Sequence, residues 1–598
     1  LCWRDLAVSV AGRTVLNDCH GIARAGRLMG ILGPSGAGKS TLLSALSGTL
    51  PRRYVVSGHV WSAGSCRRVG VTEGTVALLA QDDPFFAELT VYETLCFASR
   101  LVGQSNQAAQ QEAQGLLQRV GLAAAAFRRV DHTTKGEQRR LAVACAIAGE
   151  SEGSTRLPRA LLADEPTTGL DAFQAQRVAE LLKELAVTRN CVAMCSLHQP
   201  RSSMWRCLED LLVMAPGGLV VYCGRTNEMA QYFSSLGHSC VEEGMNPAEF
   251  VIDLVSIDHE SQTQAMKDHL RIEKLDFAWR RTSENMVPKR LGKALSRSQS
   301  FMQKRLRSTR ALFLLVKRAM LQIGRDHVTN ALRLLGTAGL ASVFGLHFGR
   351  LDGGGLPTAR SVAARICLLS FGVIAMAMLA LARAVDRFAK ERAIVQRERL
   401  SRCYSGFIYL LSKAITELPL DALAPAVFGL LVHHFCGLHA RREEVLMAFS
   451  LVAVASSSLG LAVGSIAPNA DRAMAIGGPV MIVHMLTGVI DPAGQVGHSA
   501  GQLMEMMHTL SPIRYAIEAL CTAELGGLDL ARSAADAPRM GGLALVKSGD
   551  EVLRRLGVTN NFETSAEWLL RLSALHLVIA AIALATQPQV AQVPDVHD

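Results

Sequence analysis

Two hydrophobic patterns divide this chain. Across residues 1–255 the apolar runs are short and separated by glycine turns and amphipathic stretches. That mixture predicts an α/β domain. After residue 330 the runs lengthen. Six of them, near 332–349, 366–385, 414–436, 445–467, 472–490 and 568–586, are each long enough to cross a bilayer as an α-helix. So many in one half of a chain predict an all-α domain of six transmembrane spans rather than buried core helices. Residues 256–310 are polar and charged and read as a linker with some helix. In ALFLLVKRAMLQIGRD, residues 311–326, Leu312, Val316, Ala319, Met320 and Ile323 share a helical face. Lys317, Arg318, Gln322 and Arg325 lie elsewhere, which predicts an amphipathic connecting helix. The membrane domain then covers 327–590, and 591–598 form a polar tail.

Charge refines this division. Charged residues make up 19% of the 598 and apolar residues 49%, low and high for a globular chain. A net charge of +10 raises the question of nucleic acid. The basic residues, however, cluster around 287–333 and 383–413, beside apolar segments. That placement predicts a membrane-proximal cytosolic surface and no nucleic-acid partner. Arg383, Arg387, Lys390, Arg392, Arg397, Arg399, Arg402 and Lys413 join the second span to the third. Their excess puts this connection in the cytosol, together with the N-terminal domain. The 491–567 segment then faces the far side, where it holds Cys521 and no N-x-S/T sequon. The 14 cysteines show no metal-like CxxC spacing and read as free thiols of a reducing compartment. Residue 1 is Leu, so a start further upstream is expected.

Within the first region one stretch carries specific chemistry. GPSGAGKST comprises Gly33, Pro34, Ser35, Gly36, Ala37, Gly38, Lys39, Ser40 and Thr41. It follows the strand-like RLMGIL and leads into the helix-like TLLSALSG, the context that a phosphate loop needs. Its glycines let backbone N–H groups curl round phosphate oxygens, and the helix N-terminus adds positive potential. Lys39 supplies a charge to the β- and γ-phosphates, and the Ser40 hydroxyl is a ligand for Mg²⁺.

Three further apolar runs end abruptly in polar residues. TVALLA ends at Gln81, RALLA at Asp164 and Glu165, and CVAMCSL at His198. In a doubly wound sheet the carboxyl ends of parallel strands line the ligand crevice, so the four ends can converge on one nucleotide. Asp164 suits Mg²⁺, and Glu165 suits polarisation of an attacking water. Gln81 can reach the metal or the water. His198 can touch the γ-phosphate.

These residues, in this order, resemble the nucleotide-binding domain of an ABC transporter. QDDPFFAELTVYETL after Gln81, ADEPTTGLDAFQA after the acidic pair and SLHQPRSSMW around the histidine extend the likeness. YCGRTNEMAQYFSSLGHSC, then NPAEFVIDL, and in the membrane part KERAIVQRERLSRCYSGFIYLLSKAITELPLD and LSPIRYAIEALCTAEL are similar to the G (white) subfamily. The resemblance implies a half-transporter with ATP and Mg²⁺ as cofactors. Its partners would be a second half-transporter, identical or not, membrane lipid, and a hydrophobic or lipid substrate. The membrane would be the plasma membrane or that of an organelle. Two nucleotides would be sandwiched between two such domains, each held by the phosphate loop of one and the signature loop of the other. Thr134, Lys135, Gly136 and Glu137 stand at the signature loop, and Asp171 stands at the D-loop. Glu391 and Arg392 match the acidic-basic pair of a short coupling helix. Spans two and five of the two chains would line the substrate path. The residues expected there are Met376, Leu379 and Met485, with Val489 and Ile490 as an apolar plug.

Two positions depart from the family pattern. Lys135 replaces a glycine, a strain if the loop needs positive φ, while its ammonium can attract the nucleotide's charge. No aromatic stands near Val10, where the family stacks adenine, and Trp3 looks too early. These departures motivate an alternative, a weakly hydrolysing or regulatory partner subunit. A soluble phosphate-loop kinase or translation factor is a third class, which the six spans oppose.

Overall fold

A computed structural model describes the chain except residues 52, 63–64, 69–75, 82–83, 149–159, 239–245, 259–260, 284–300, 352–357, 401–402, 468–469, 489–501, 531–547, 559 and 587–598. The chain divides into two compact units. The first takes in Leu1–Thr309 with Gln396–Tyr404, and the second Arg310–Val395 with Ser405–Gln587.

The first unit holds two sheets. One is antiparallel, ordered β2-β1-β4-β5, from β1 (Cys2–Val10), β2 (Arg13–Ile22), β4 (Tyr54–Ser62) and β5 (Ser65–Arg68). The other has the order β10-β9-β3-β8-β7-β6. Its strands are β3 (Arg27–Leu32), β6 (Val76–Leu79), β7 (Ala160–Ala163), β8 (Val192–Ser196), β9 (Asp210–Ala215) and β10 (Leu219–Arg225). Of these β9, β3, β8, β7 and β6 run parallel, and β10 returns antiparallel. Every residue of β7, β8 and β9 is buried, as expected of parallel strands covered on both faces. Strands β1 and β2 bury only some positions and take the mixed pattern of a one-sided antiparallel sheet.

Helices α1 (Lys39–Ser47), α2 (Val91–Val102), α3 (Asn106–Arg119), α4 (Lys135–Ile147), α5 (Ala172–Arg189), α6 (Ser202–Trp205), α7 (Met229–Ser235) and α8 (Pro247–Val255) complete the α/β domain. The stretch expected as a linker contains α9 (Gln262–Ser283), whose Arg280 donates to Asp18 on β2 at 3.0 Å. The cysteines whose side chains are described are all free thiols. Burial pushes Cys19, Cys195 and Cys223 up to about 12, so these three stay protonated and unreactive.

Helix α10 (Phe301–Arg325) starts earlier than the amphipathic stretch suggested. Among the described residues the named elements of the second unit are all helices. Each predicted span corresponds to one helix, those at 332–349 and 445–467 overrunning theirs by one residue and residues 489–490 of the fifth lying outside the described residues: α11 (His327–Phe348), α12 (Ala359–Leu400), α13 (Gly406–Cys436), α14 (Arg442–Ile466), α15 (Ala470–Gly488) and a final helix, Phe562–Thr586. Five of these, all but α15, are long and apolar enough to cross a membrane by length and composition. On α11, Leu332, Leu335, Val343 and Leu346 are exposed, a surface that suits lipid. Between α15 and the end of the chain come α16 (Gln502–Thr509), α17 (Pro512–Leu525) and α18 (Gly549–Arg555), so the final helix is α19. Part of the segment expected on the far side is therefore interior, because α17 packs among α14, α15 and α19.

Residues 383–400, in the stretch where the resemblance puts a short coupling helix, belong to α12, which runs for 42 residues. No Gly or Pro stands between Val373 and Ser405, so nothing interrupts it. Lys413, counted with the basic connection, is buried on α13, where its Nζ donates to Glu417 at 2.7 Å and also to Glu391. Arg333 on α11 likewise pairs with Asp421 on α13 at 3.0 Å. Ionisable groups at membrane depth are held in pairs of this kind because lipid offers them no hydration.

Candidate active site

The parallel order β3-β8-β7-β6 puts the four expected strand ends side by side. Gly33 follows β3, His198 lies two residues past β8, Asp164 follows β7 and Gln81 lies two past β6. The loop after β3 depends on its glycines. Gly33 has φ 151, and a Cβ there would lie 2.2 Å from the Met214 carbonyl oxygen. Gly38 has φ 94 and lies against Leu16, where a Cβ would come within 2.7 Å of Cδ2. The loop thus runs too close to β9 and β2 for any side chain at these positions.

Lys39 opens α1 and folds back over the loop. Its Nζ donates to the Gly33 oxygen at 2.7 Å and to the Pro34 oxygen at 2.9 Å. Burial holds this ammonium below the ordinary lysine value, partly offset by Glu165 and Asp164. Ser40 Oγ donates to Asp164 Oδ1 at 3.0 Å, joining α1 to the end of β7. Ser196 Oγ, at the end of β8, donates to the same oxygen at 2.7 Å and accepts from the Glu165 amide at 2.8 Å. Glu165 adopts φ 44, a left-handed conformation uncommon outside glycine. Gln81 Nε2 and Thr168 Oγ1 both donate to Glu165 Oε2, at 3.1 and 3.0 Å. Oε1 is then the oxygen available to accept a proton. His198 is exposed. The Ser40 hydroxyl beside the Asp164 carboxylate offers the hard oxygen ligands that Mg²⁺ selects, so the side chains present fit that ion.

Sequence reasoning missed Ser196 and Thr168. Ser196 closes the apolar run CVAMCS two residues before His198, so an abrupt polar end was there to be read. Thr168 sits three residues beyond Glu165 in a turn, and only the fold turns its hydroxyl back.

The signature stretch lies elsewhere, at the start of α4. Thr134 is the N-cap, accepting from the Glu137 amide at 3.2 Å while the Glu137 carboxylate accepts from the Thr134 amide at 2.8 Å. Lys135 is the first helical residue, is exposed and has no positive φ, so the strain feared for it does not arise. Gly136 is buried against Gln174 of α5, where a Cβ would approach Oε1 to 3.2 Å. Asp171 caps α5 by accepting from the Gln174 amide at 2.9 Å. Trp3 is fully buried against Gly21 and cannot stack on a nucleotide.

In the second unit Glu391 accepts from Tyr409 at 3.0 Å as well as from Lys413. Arg392 donates to the Gly464 and Ala467 oxygens at the end of α14. Of the expected path residues, Leu379 is exposed, whereas Met376 is buried inside the bundle and Met485 packs half-buried on its core. Val489 and Ile490 lie outside the described residues, as does the polar tail.

A family model described as ABC transporter matches residues 16–168. Two described as ABC-2 type transporter match residues 310–525 and 198–319. The chain is similar to ABC transporter G family member 7 of Arabidopsis thaliana, 33% identical over 561 residues, covering 88% of this chain and 74% of that protein. It is 29% identical over 440 residues to ATP-binding cassette sub-family G member 5 of Rattus norvegicus, covering 71% and 66%. It is 29% identical over 506 residues to Protein white of Drosophila melanogaster, covering 79% and 69%.

Proposed function

The chain belongs to the G family of ABC transporters, and from that premise we propose that it exports a hydrophobic or amphipathic small molecule, or a lipid, as one half of a dimer. It is an integral membrane protein whose ATPase domain binds ATP and couples hydrolysis to transport. The observation that carries the finer reading is the joined set Ser40–Asp164–Ser196 and Gln81–Glu165–Thr168 at the sheet's carboxyl edge.

In this reading the amides of Gly33 to Thr41 bind phosphate oxygens, and Lys39 leaves the two loop carbonyls to meet the β- and γ-phosphates. Ser40 and Asp164 would hold Mg²⁺, which would neutralise phosphate charge there, with Gln81 within reach. Glu165 takes the proton of the attacking water on Oε1, and His198 meets the γ-phosphate. Thr134, Lys135, Gly136 and Glu137 of one copy close over the nucleotide of the other. One copy supplies a single phosphate loop and one set of spans, so two are needed for a closed pair of sites. The two-state cycle follows, because ATP binds the closed pair more tightly than the open one. The ATPase domain is cytosolic. Glu391 and Arg392, tied to α13 and α14, would pass movement to the membrane helices. The exposed Leu379 of α12 suits an apolar cargo.

Full-length protein in lipid vesicles tests this. Glu165→Gln is expected to lower ATP turnover by roughly 10²–10⁴-fold, the usual worth of a general base, while ATP binding is kept. Unchanged turnover would remove Glu165 as the base.

A further inference from the structure

Helices α12 and α13 meet along a ladder of charge. Arg383, Arg387 and Glu391, one turn apart on α12, face Asp421, Glu417 and Lys413 on α13. Arg333 of α11 joins at Asp421. The rungs are unequal. Asp421 is held by Arg333 at 3.0 Å and accepts from Ser457 Oγ of α14 at 2.9 Å. Glu417 accepts from Lys413 at 2.7 Å, and Lys413 also donates to Glu391. Arg383 and Arg387 come second to these, 4.0 Å from Asp421 and 3.9 Å from Glu417, beyond hydrogen-bonding distance.

Each carboxylate thus already has a nearer cation, and Arg383 and Arg387 are the surplus. Arg333, Arg383, Arg387 and Lys413 stand against Glu391, Glu417 and Asp421, which leaves one positive charge over. Arg383 Nε donates to the Leu379 oxygen at 2.9 Å, but its Nη1 has no acceptor. Among the described residues Arg387 reaches no hydrogen-bond acceptor. The two side chains are 25% and 27% exposed, so a ligand can reach them. One turn before Arg383, on the same i, i+4 row, Leu379 is exposed, and so is Met378 beside it. Guanidinium groups short of acceptors and next to apolar surface fit a molecule that joins an oxyanion to a hydrocarbon.

We propose that Arg383 and Arg387 bind an oxyanion head of the cargo while Leu379 and Met378 take its hydrocarbon chain. The cargo class is then an anionic amphiphile rather than a neutral lipid. The proposal rests on the reading of the chain as a transporter of hydrophobic or amphipathic molecules, and it narrows that reading.

Photolabelling of the full-length chain in phosphatidylcholine vesicles tests it. The probes are oleoyl lysophosphatidate and mono-oleoyl glycerol, which differ only in the phosphate, each with a diazirine in its acyl chain. At equal mole fraction the phosphate probe is expected to label peptides carrying Met378 and Leu379 about tenfold more than the neutral one, the worth of a charged hydrogen bond. It should also raise ATP turnover. A chain with both Arg383→Gln and Arg387→Gln should lose the preference and the stimulation, and one with both changed to Lys should keep most of each. Asp421 and Glu417 keep their nearer cations in both variants, so an unchanged thermal midpoint is expected. Equal labelling by the two probes, or a preference that survives in the Gln variant, would overturn the site. So would competition by inorganic phosphate, which would mark a site for a free anion. Labelling without stimulation would assign the arginines to resident membrane lipid and overturn the cargo role, and no labelling by either probe would show a second copy covering them. ATP binding is measured on the same vesicles. Its absence would overturn the transporter reading, whereas intact binding with equal labelling would overturn the anionic cargo alone.

Discussion

Polar groups mean different things in the two units. In the first unit they stand at the carboxyl edge of a buried sheet, partly exposed, and each is tied to another strand end: Ser40 to Asp164, Ser196 to Asp164 and Gln81 to Glu165. In the second unit they are buried in the bundle and tied across helices: Arg365 to Glu524 and Lys413 to Glu391. Water reaches the first set and would contact a ligand. No solvent reaches the Arg365–Glu524 pair, whose side chains are 0% exposed. The first arrangement serves chemistry at a surface, and the second fixes how helices pack.

That contrast can be broken by substitution. Removing one half of the Arg365–Glu524 pair should have the largest effect, because the other half stays buried and uncompensated. Glu524→Ala is expected to cost about 3–5 kcal/mol of stability, read as a lower thermal midpoint of the purified chain. Replacing both residues by Met should recover most of it. If Glu524→Ala unfolds like the native chain, buried charge is not what holds α17.

Gly33→Ala should come next. The new Cβ meets the Met214 oxygen at 2.2 Å, and overpacking of this kind costs about 1–3 kcal/mol. ATP affinity is expected to fall by roughly 10–100-fold, measured by direct binding, with the helical unit unaffected. The smallest effect belongs to Ser196→Ala. It deletes one hydroxyl that orients Asp164 and the Glu165 amide, so turnover should fall about tenfold, equivalent to about 1.4 kcal/mol, with little change in stability. Equal losses of stability for Ser196→Ala and Glu524→Ala would erase the distinction between the units.

The two units were also unequally legible. GPSGAGKST is local: each glycine, Lys39 and Ser40 acts within one turn of the chain, so spacing alone identifies it. Apolar length alone locates the six apolar segments, five of which lie on helices long and apolar enough to cross a membrane, because hydrocarbon thickness sets how much helix is needed. The polar ends at Gln81, Asp164, Glu165 and His198 could be read as strand ends that converge on one nucleotide, but not in their order across the sheet. Four buried runs carry no record of their order, and β3-β8-β7-β6 is decided by how the sheet packs.

The rest was decided by contacts between residues distant along the chain. Arg365 and Glu524 are 159 positions apart, and each alone looks like an ordinary charge at a helix end. Met376 falls on an apolar helix whose sequence does not say which face meets lipid, and packing buries it. Lys135 looked strained as a replacement for glycine, yet the Thr134 and Glu137 capping box draws it into the first turn of α4, where any residue fits. Sequence by itself determined the local chemistry of the phosphate loop and the number of apolar segments, since both depend on neighbours within a few residues. Tertiary structure alone decided which polar groups meet and which helix faces are buried, since these depend on partners that chain distance does not encode.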